Sequence, residues 1–306
     1  MTAPLAFYFN WNTIPDELHP RVIREFLDHG IEDLVFINPV MESVLANPSR
    51  KDFYLGLAER MGVRFIGMHS PYGKTFDLSL IEPDRKPLMI QDHVKALETC
   101  AEFGSKTYTM HLGTYPYAAQ NVKLEQLREH IVEALEKLLP EAERLGVVIA
   151  IENGFSANDS AEELLYYINH FNHPYLGVCY DTGHAHIVTP YPWKKREKYH
   201  PHVINNWIEP AFQECPNSID LLQPHIVTCH IHDNSGYADQ HGMPFDGTLP
   251  WEDLMPKLFN CPRMLEYQTE VSYTEGKIWC GEALSNRGGY SINHHVQVFR
   301  KLGFSW

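Results

Sequence analysis

Short apolar runs rich in β-branched and aromatic residues recur along the chain. Longer stretches separate them, in which apolar residues return every three to four positions. The short runs predict strands near residues 5–9, 33–37, 64–68, 107–111, 147–151, 176–180, 226–231 and 263–266. Residues 17–29 set Leu18, Val22, Ile23, Phe26 and Leu27 on one helical stripe, and 124–145 form a longer amphipathic segment stopped by Gly146. Further helices are expected over 83–103, 160–171, 251–259 and 291–302. The connection from 187 to 225 is rich in Pro and aromatics and reads as an insertion after the sixth strand, with a short helix of its own. Eight strands alternating with helices predict an α/β fold, a (β/α)8 TIM barrel spanning residues 1–306 as one domain. An open doubly wound sheet is the alternative, but no Gly-x-Gly-x-x-Gly follows the first strand.

A barrel concentrates its chemistry at the C-terminal ends of its strands. Strands three to eight each deliver a His, Asp or Glu there: His69, His111, Glu152, Asp181, His230 with His232, and Glu266. One such residue is an ordinary polar terminus, whereas six strands in succession form a metal-site constellation. Carboxylates mixed with imidazoles suit a divalent ion such as Mn, Co, Mg or Zn rather than a soft metal. Asp181 and His184 are three apart across a turn and can address one metal pair. His230 and His232 point to the same side of their strand, because side chains alternate with period two.

Composition adds three points. The formal charge of -14 opposes general binding to nucleic acid or to an anionic membrane. The 18 histidines are many for such a chain, and the strand-end pattern gives part of them a purpose. The six cysteines contain no Cys-x-x-Cys pair; Cys179 and Cys229 lie in apolar runs and are expected in the core. The first residues lack a basic stretch followed by an apolar segment, and no window approaches 18 continuous apolar residues. A reduced, cytoplasmic setting without a membrane span is the expectation.

The ordered motifs are His-Ser-Pro-Tyr, His-Leu-Gly, Ile-Glu-Asn, Asp-Thr-Gly-His and His-Ile-His-Asp-Asn. This series, running from about Leu5 to Leu302, resembles the xylose isomerase-like TIM barrel superfamily. That group holds sugar isomerases and epimerases, inosose dehydratases and apurinic endonucleases of the endonuclease IV type. The mononuclear sugar enzymes imply Glu152, Asp181, His230 and Glu266 as ligands of one ion, with Glu152 and Glu266 moving protons on opposite faces of the substrate. The endonucleases imply additional ligands at His69, His111, His184, Asp239 and His241, for up to three ions. The segment Ser-Pro-Tyr-Gly-Lys-Thr-Phe-Asp after His69 and the phrase Asp-Gly-Thr-Leu-Pro-Trp at 246–251 are similar to the sugar phosphate isomerase/epimerase branch. Glu152 also lacks a following Gly-Gln-Gly run of the endonuclease kind.

The resulting expectation is a divalent-metal-dependent isomerase or epimerase acting on a sugar or sugar-like polyol through a metal-stabilised enediolate. A trinuclear zinc nuclease, a dehydratase or lyase on a keto-sugar or inosose, and a non-catalytic barrel subunit are the alternatives, and a homo-oligomer stays open. Substrate contacts are expected from His184, His186 and His232, from the aromatics Trp11 and Tyr72, and from Lys74 and Arg287. Tyr115, Tyr117 and Trp193 divide between stacking a sugar ring and packing loops, and the run Lys194, Lys195, Arg196, Lys198 reads as a solvated charge cluster. His294 and His295 are expected as exposed structural residues of the last helix.

Overall fold

A computed structural model describes residues 3–115, 117, 121–190, 199–207, 211–271 and 290–306. Eight strands appear in chain order: β1 (Leu5–Ala6), β2 (Asp33–Phe36), β3 (Arg64–Met68), β4 (Thr107–Met110), β5 (Val148–Glu152), β6 (Leu176–Asp181), β7 (Ile226–Ile231) and β8 (Tyr267–Thr269). Six of them form one curled parallel sheet in the order β1-β8-β7-β6-β5-β4, and β2 pairs in parallel with β3. Single parallel bridges from Phe7 to Leu34 and from His69 to Thr109 join the two groups, so the strands make a closed circuit. This is the expected barrel.

The helices are α1 (His19–Leu27), α2 (Asn38–Ala46), α3 (Ser49–Met61), α4 (Lys86–Phe103), α5 (Leu124–Leu145), α6 (Ala161–Phe171), α7 (Thr182–Val188), α8 (Pro201–Asn205), α9 (Ser218–Leu222), α10 (Trp251–Phe259) and α11 (Ile292–Lys301). The stripes read from the sequence are the buried faces: Val22, Ile23 and Phe26 of α1, and Leu127, Ile131, Leu135 and Leu138 of α5, all pack inward. Gly146 ends α5 with φ 70°, a left-handed conformation that costs glycine little. The sequence pattern predicts no helix between the second and third strands, where the chain folds α2 and α3. Their apolar residues are spread round the axis rather than gathered in one stripe, so periodicity carries little signal there.

The eighth strand lies later than its apolar run suggested. Met264 and Leu265 precede the ladder, Arg263 caps the carbonyls of Pro174 and Leu176, and pairing to β1 begins at Tyr267 opposite Leu5. A polar Gln268 enters the barrel because β3 leaves it room. A Cβ on Gly67 would stand 2.5 Å from the Gln268 Cδ. Cys179 and Cys229 are buried in the core as expected. His295 is not exposed: it is fully buried, with its ring parallel to that of Phe299, and burial lowers it to about 3.

After β6 the insertion supplies α8 and α9, and the Trp207 indole donates to the Phe155 carbonyl at 2.7 Å, tying this segment to the loop after β5. Among the described residues, no helix is long and apolar enough to cross a membrane.

Candidate metal centre

The ends of β3 to β8 converge on a cavity of about 310 Å³. Its floor is built by local devices that fix each side chain. The Asn153 side chain donates to the Asp181 carbonyl (3.0 Å) and accepts from the Asp181 N–H (2.9 Å), carrying the β5–β6 pairing one residue past the ladder. Asp181 then caps α7, accepting from the His184 N–H at 2.6 Å, so strand end and helix start are set together.

Three imidazoles share one arrangement. The Nδ1–H of His69 donates to the Ser70 carbonyl (2.8 Å), that of His184 to the Asn153 carbonyl (3.0 Å), and that of His241 to the Glu270 carbonyl (2.9 Å). A ring that donates from Nδ1 presents Nε2 as a lone pair unless it is doubly protonated. Each of these Nε2 atoms faces a carboxylate oxygen: His69 to Glu152 at 3.4 Å, His184 to Asp239 at 3.3 Å and His241 to Asp239 at 2.9 Å. Two lone pairs so placed repel unless a proton or a metal cation lies between them.

The densest point is His230. Its Nδ1 stands 3.1 Å from Glu152 Oε1, 3.0 Å from Glu270 Oε2 and 3.8 Å from Asp181 Oδ2, so three strands aim carboxylates at one ring nitrogen. Among the described residues, the buried oxygens Glu152 Oε2 and Glu270 Oε2 have no hydrogen-bond partner, although His69, His111 and His230 lie close by. Buried acceptors of this kind are costly unless something positive meets them. The donor atoms form groups within 4.8 Å of one another: His69–His111–Glu152, His69–His230–Glu270 and His184–Asp239–His241. The set fits one or more divalent ions.

The same crowding appears as shifted proton affinities. Burial opposes it, but the imidazoles of His111 and His230 hold Glu152 well below the usual carboxylate range, and His230 does the same for Glu270. Burial also works against protonating His241, yet the Asp239 carboxylate raises it to about 10. Burial lowers His111 to about 4 in spite of Glu152.

The site residues read from the sequence divide cleanly. His69, His111, Glu152, Asp181, His184, His230, Asp239 and His241 come together here. Glu266 does not. It lies one residue before β8, deep in the barrel, bonded to Thr107 and Gln268, and burial raises it to about 8. Glu270, one residue past β8, occupies the strand-end position instead. The alternation Glu266, Gln268, Glu270 was the available signal, since all three keep the period-two phase of an inward face.

Among the substrate-contact expectations, Tyr72 lines the cavity and is 44% exposed at its mouth, and His184 lines its wall. Trp11 is core: it is 1% exposed, its indole donates to the Val35 carbonyl, and Phe9, Phe26 and Phe65 pack around it. Its place just after an apolar strand marked burial rather than a stacking wall. His232 is also away from the cavity surface, with Nε2 on both Asp181 oxygens at 2.9–3.0 Å. His186 bonds Thr248 and lines a separate small cavity of about 120 Å³. Lys74 lies outside the lining, paired with Glu82 at 3.2 Å and placed over the Tyr115 ring. Arg287, Trp193 and the basic run 194–198 fall outside the described residues. Unforeseen lining residues are Tyr8, Asn38, Asp159 and Asn206; the last comes from the insertion, for which no sequence pattern gave a position.

Residues 43–281 match the family model described as the xylose isomerase-like TIM barrel. The uncharacterized protein y4fM of Sinorhizobium fredii is 24% identical over 265 residues, 80% of this chain and 70% of that protein. A D-tagatose 3-epimerase-like protein superposes with a TM-score of 0.68 at 16% identity, covering 99% of this chain and 96% of the other. The 3-keto-D-glucoside 4-epimerase YcjR of E. coli superposes with a TM-score of 0.66 at 13% identity, covering 98% and 99%.

Proposed function

Because the chain belongs to the xylose isomerase-like TIM barrel family, we propose that it is a divalent-metal-dependent isomerase or epimerase acting on a carbohydrate. The observation that carries this reading is the pair Glu152 and Glu270. Two carboxylates reach the same imidazole from β5 and from the end of β8, each with a buried oxygen that no donor among the described residues satisfies. Glu152, Asp181, His230 and Glu270 would hold the ion, with Glu270 taking the place first given to Glu266. A bound Mn, Co, Mg or Zn ion supplies Lewis-acid stabilisation of negative charge on two adjacent substrate oxygens.

The chain's own groups account for the rest. Glu152 takes a carbon-bound proton on one side of the substrate, and Glu270 returns one on the other. His184 stands on the wall to meet a hydroxyl, while Tyr72 and Phe155 offer ring faces to the apolar side of a sugar. The described lining consists of imidazoles, carboxylates, aromatics and small polar groups, which match polyol hydroxyls better than a phosphate backbone. The activities named for the superposing epimerases agree with this class. With a leaving group beside the abstracted proton, the same pair would drive elimination.

The test is hydrogen exchange into substrate. The protein is incubated with a panel of ketoses in D2O, and loss of the carbon-bound proton is followed by NMR. Glu152→Gln and Glu270→Gln should each slow exchange by at least about 100-fold, while Glu266→Gln keeps it. Full turnover in Glu152→Gln or Glu270→Gln would overturn the assignment.

One observation favours a second reading, a three-ion phosphodiester hydrolase. The additional ligand positions implied by the endonuclease resemblance, His69, His111, His184, Asp239 and His241, all have side chains in the cluster, including the His184–Asp239–His241 group. Three zinc equivalents per chain together with cleavage of an abasic duplex would establish it; a single ion would remove it.

A further inference from the structure

Residues 234–251 leave the end of β7, cross the barrel mouth and return to α10, bringing Asp239 and His241 to His184. The backbone of this arm is not relaxed. His241 has φ 46° and Phe245 φ 76°, left-handed conformations that neither residue type favours. Such geometry persists only where the surroundings impose it, and one side chain accepts four of the hydrogen bonds that hold the arm.

Asp233 is fully buried, and its two oxygens accept four hydrogen bonds from the arm. Oδ1 takes the N–H groups of Asn234 (2.8 Å) and Leu249 (3.2 Å); Oδ2 takes the N–H of Phe245 (3.0 Å) and the indole N–H of Trp251 (2.8 Å). The Asp233 backbone exchanges a second pair of bonds with Gly242, at 2.8 and 2.7 Å, which pins the residue directly after His241. The arm wraps closely enough that a Cβ on Gly247 would sit 2.2 Å from Asp233 Oδ1. Asp233 is not part of the described cavity lining, yet its carboxylate bonds both ends and the middle of the segment that carries two of the three groups in the His184–Asp239–His241 set.

We infer that Asp233 is a positioning residue. Its carboxylate folds the 234–251 arm, and through it sets the left-handed backbone of His241 and the approach of Asp239 and His241 to His184. The metal part of this inference rests on the cluster being a cation site; the folding part does not. An Asp233→Asn substitution is nearly isosteric but puts an NH2 group against either the Phe245 and Trp251 donors or those of Asn234 and Leu249, so two of the four bonds are lost whichever way the amide turns.

The test compares wild type, Asp233→Asn, Trp251→Phe and Asp239→Asn. Amide hydrogen exchange is measured on the purified full chain with its native metal content and again after chelation. In Asp233→Asn, exchange across 235–249 should rise about tenfold or more while β5–β7 keep their protection. Trp251→Phe, which removes one donor, should show a smaller rise over the same segment, and it serves as the variant should Asp233→Asn fail to fold. Asp239→Asn should leave exchange after chelation unchanged. Zinc titration should then show Asp233→Asn losing the same ion as Asp239→Asn, with affinity at the Glu152–His230–Glu270 group retained. Unchanged exchange across 235–249 in both Asp233→Asn and Trp251→Phe overturns the inference. Faster exchange in Asp233→Asn with wild-type zinc binding, where Asp239→Asn does lose an ion, overturns its positioning of the ligands. If Asp239→Asn binds zinc as wild type does, the ion assigned to that group fails, and the exchange data still decide whether Asp233 folds the arm.

Discussion

His232 lies flat against His241, their ring centroids 4.0 Å apart and their planes 8° from parallel, while its Nε2 holds Asp181. One imidazole that no described surface of the main cavity displays thus steadies groups from two metal-facing sets. Residues of this kind orient ligands without touching the ion.

Replacing His232 should therefore weaken metal binding without unfolding the barrel. His232→Leu is expected to lower affinity for a divalent ion by about 10–100-fold, read by titration with Mn or Zn, with little change in far-UV circular dichroism. Gly183→Ala should act in the same direction from the other side, since its new Cβ would meet the His232 ring at 2.0 Å. Unaltered affinity in both variants would contradict the role of His232.

Glu266 makes stability depend on pH in one direction. Burial raises it to about 8 in the fold, against a usual glutamate value near 4.5. Between these limits the folded state holds a proton that the unfolded chain releases, so its contribution is complete below pH 4.5 and is lost as pH rises through 8. Glu266→Gln should flatten that slope and raise the urea midpoint above pH 7 relative to wild type. Urea denaturation at pH 5 and pH 8.5 on the chelated protein checks it.

His93 works in the opposite sense. It is buried between the Phe76 carbonyl and the Tyr108 hydroxyl, and burial lowers it to about 4 from a usual 6.5. In that window the unfolded chain binds the proton more readily, so the stabilisation is complete above pH 6.5 and disappears as pH falls through 4. His93→Gln should reduce the loss of stability between pH 6.5 and 4, by an amount of about 3 kcal/mol at most. The same denaturation series, extended to acid, measures it.

Metal removal gives a further readout. Chelation leaves the carboxylates around His230 facing one another with only protons to neutralise them, so Tm should fall by several degrees and recover on adding Mn or Zn. An unchanged Tm across chelation and reloading would oppose a resident ion at this site.

The strand-end rule made most of this site legible before any coordinates, because a barrel turns sequence order into one ring of side chains. His69 and His111 follow their strands directly, and Glu152, Asp181 and His230 lie within the last two residues of theirs, so the strand positions alone locate them. Glu270 was lost to a four-residue error in β8, where Arg-Met-Leu looks like a strand and the real ladder residues Tyr-Gln-Thr do not. Gln268 is tolerated inside the barrel only because of Gly67, a long-range pairing that no local pattern reveals. Trp11 failed for the converse reason: position after a strand does not separate an aromatic that packs inward from one that faces substrate.

The bridge between His69 and Thr109 is the sole strand pairing described between β3 and β4, and one of its two partners belongs to the ligand cluster. One of the barrel's two single-bridge seams and the candidate metal centre therefore share His69. An ion drawing His69 toward Glu152 would tighten that seam, and strain opening the seam would pull a ligand away. Loading the site with an ion would then also tighten this edge, so protection of the β3–β4 edge against exchange should report occupancy of the centre.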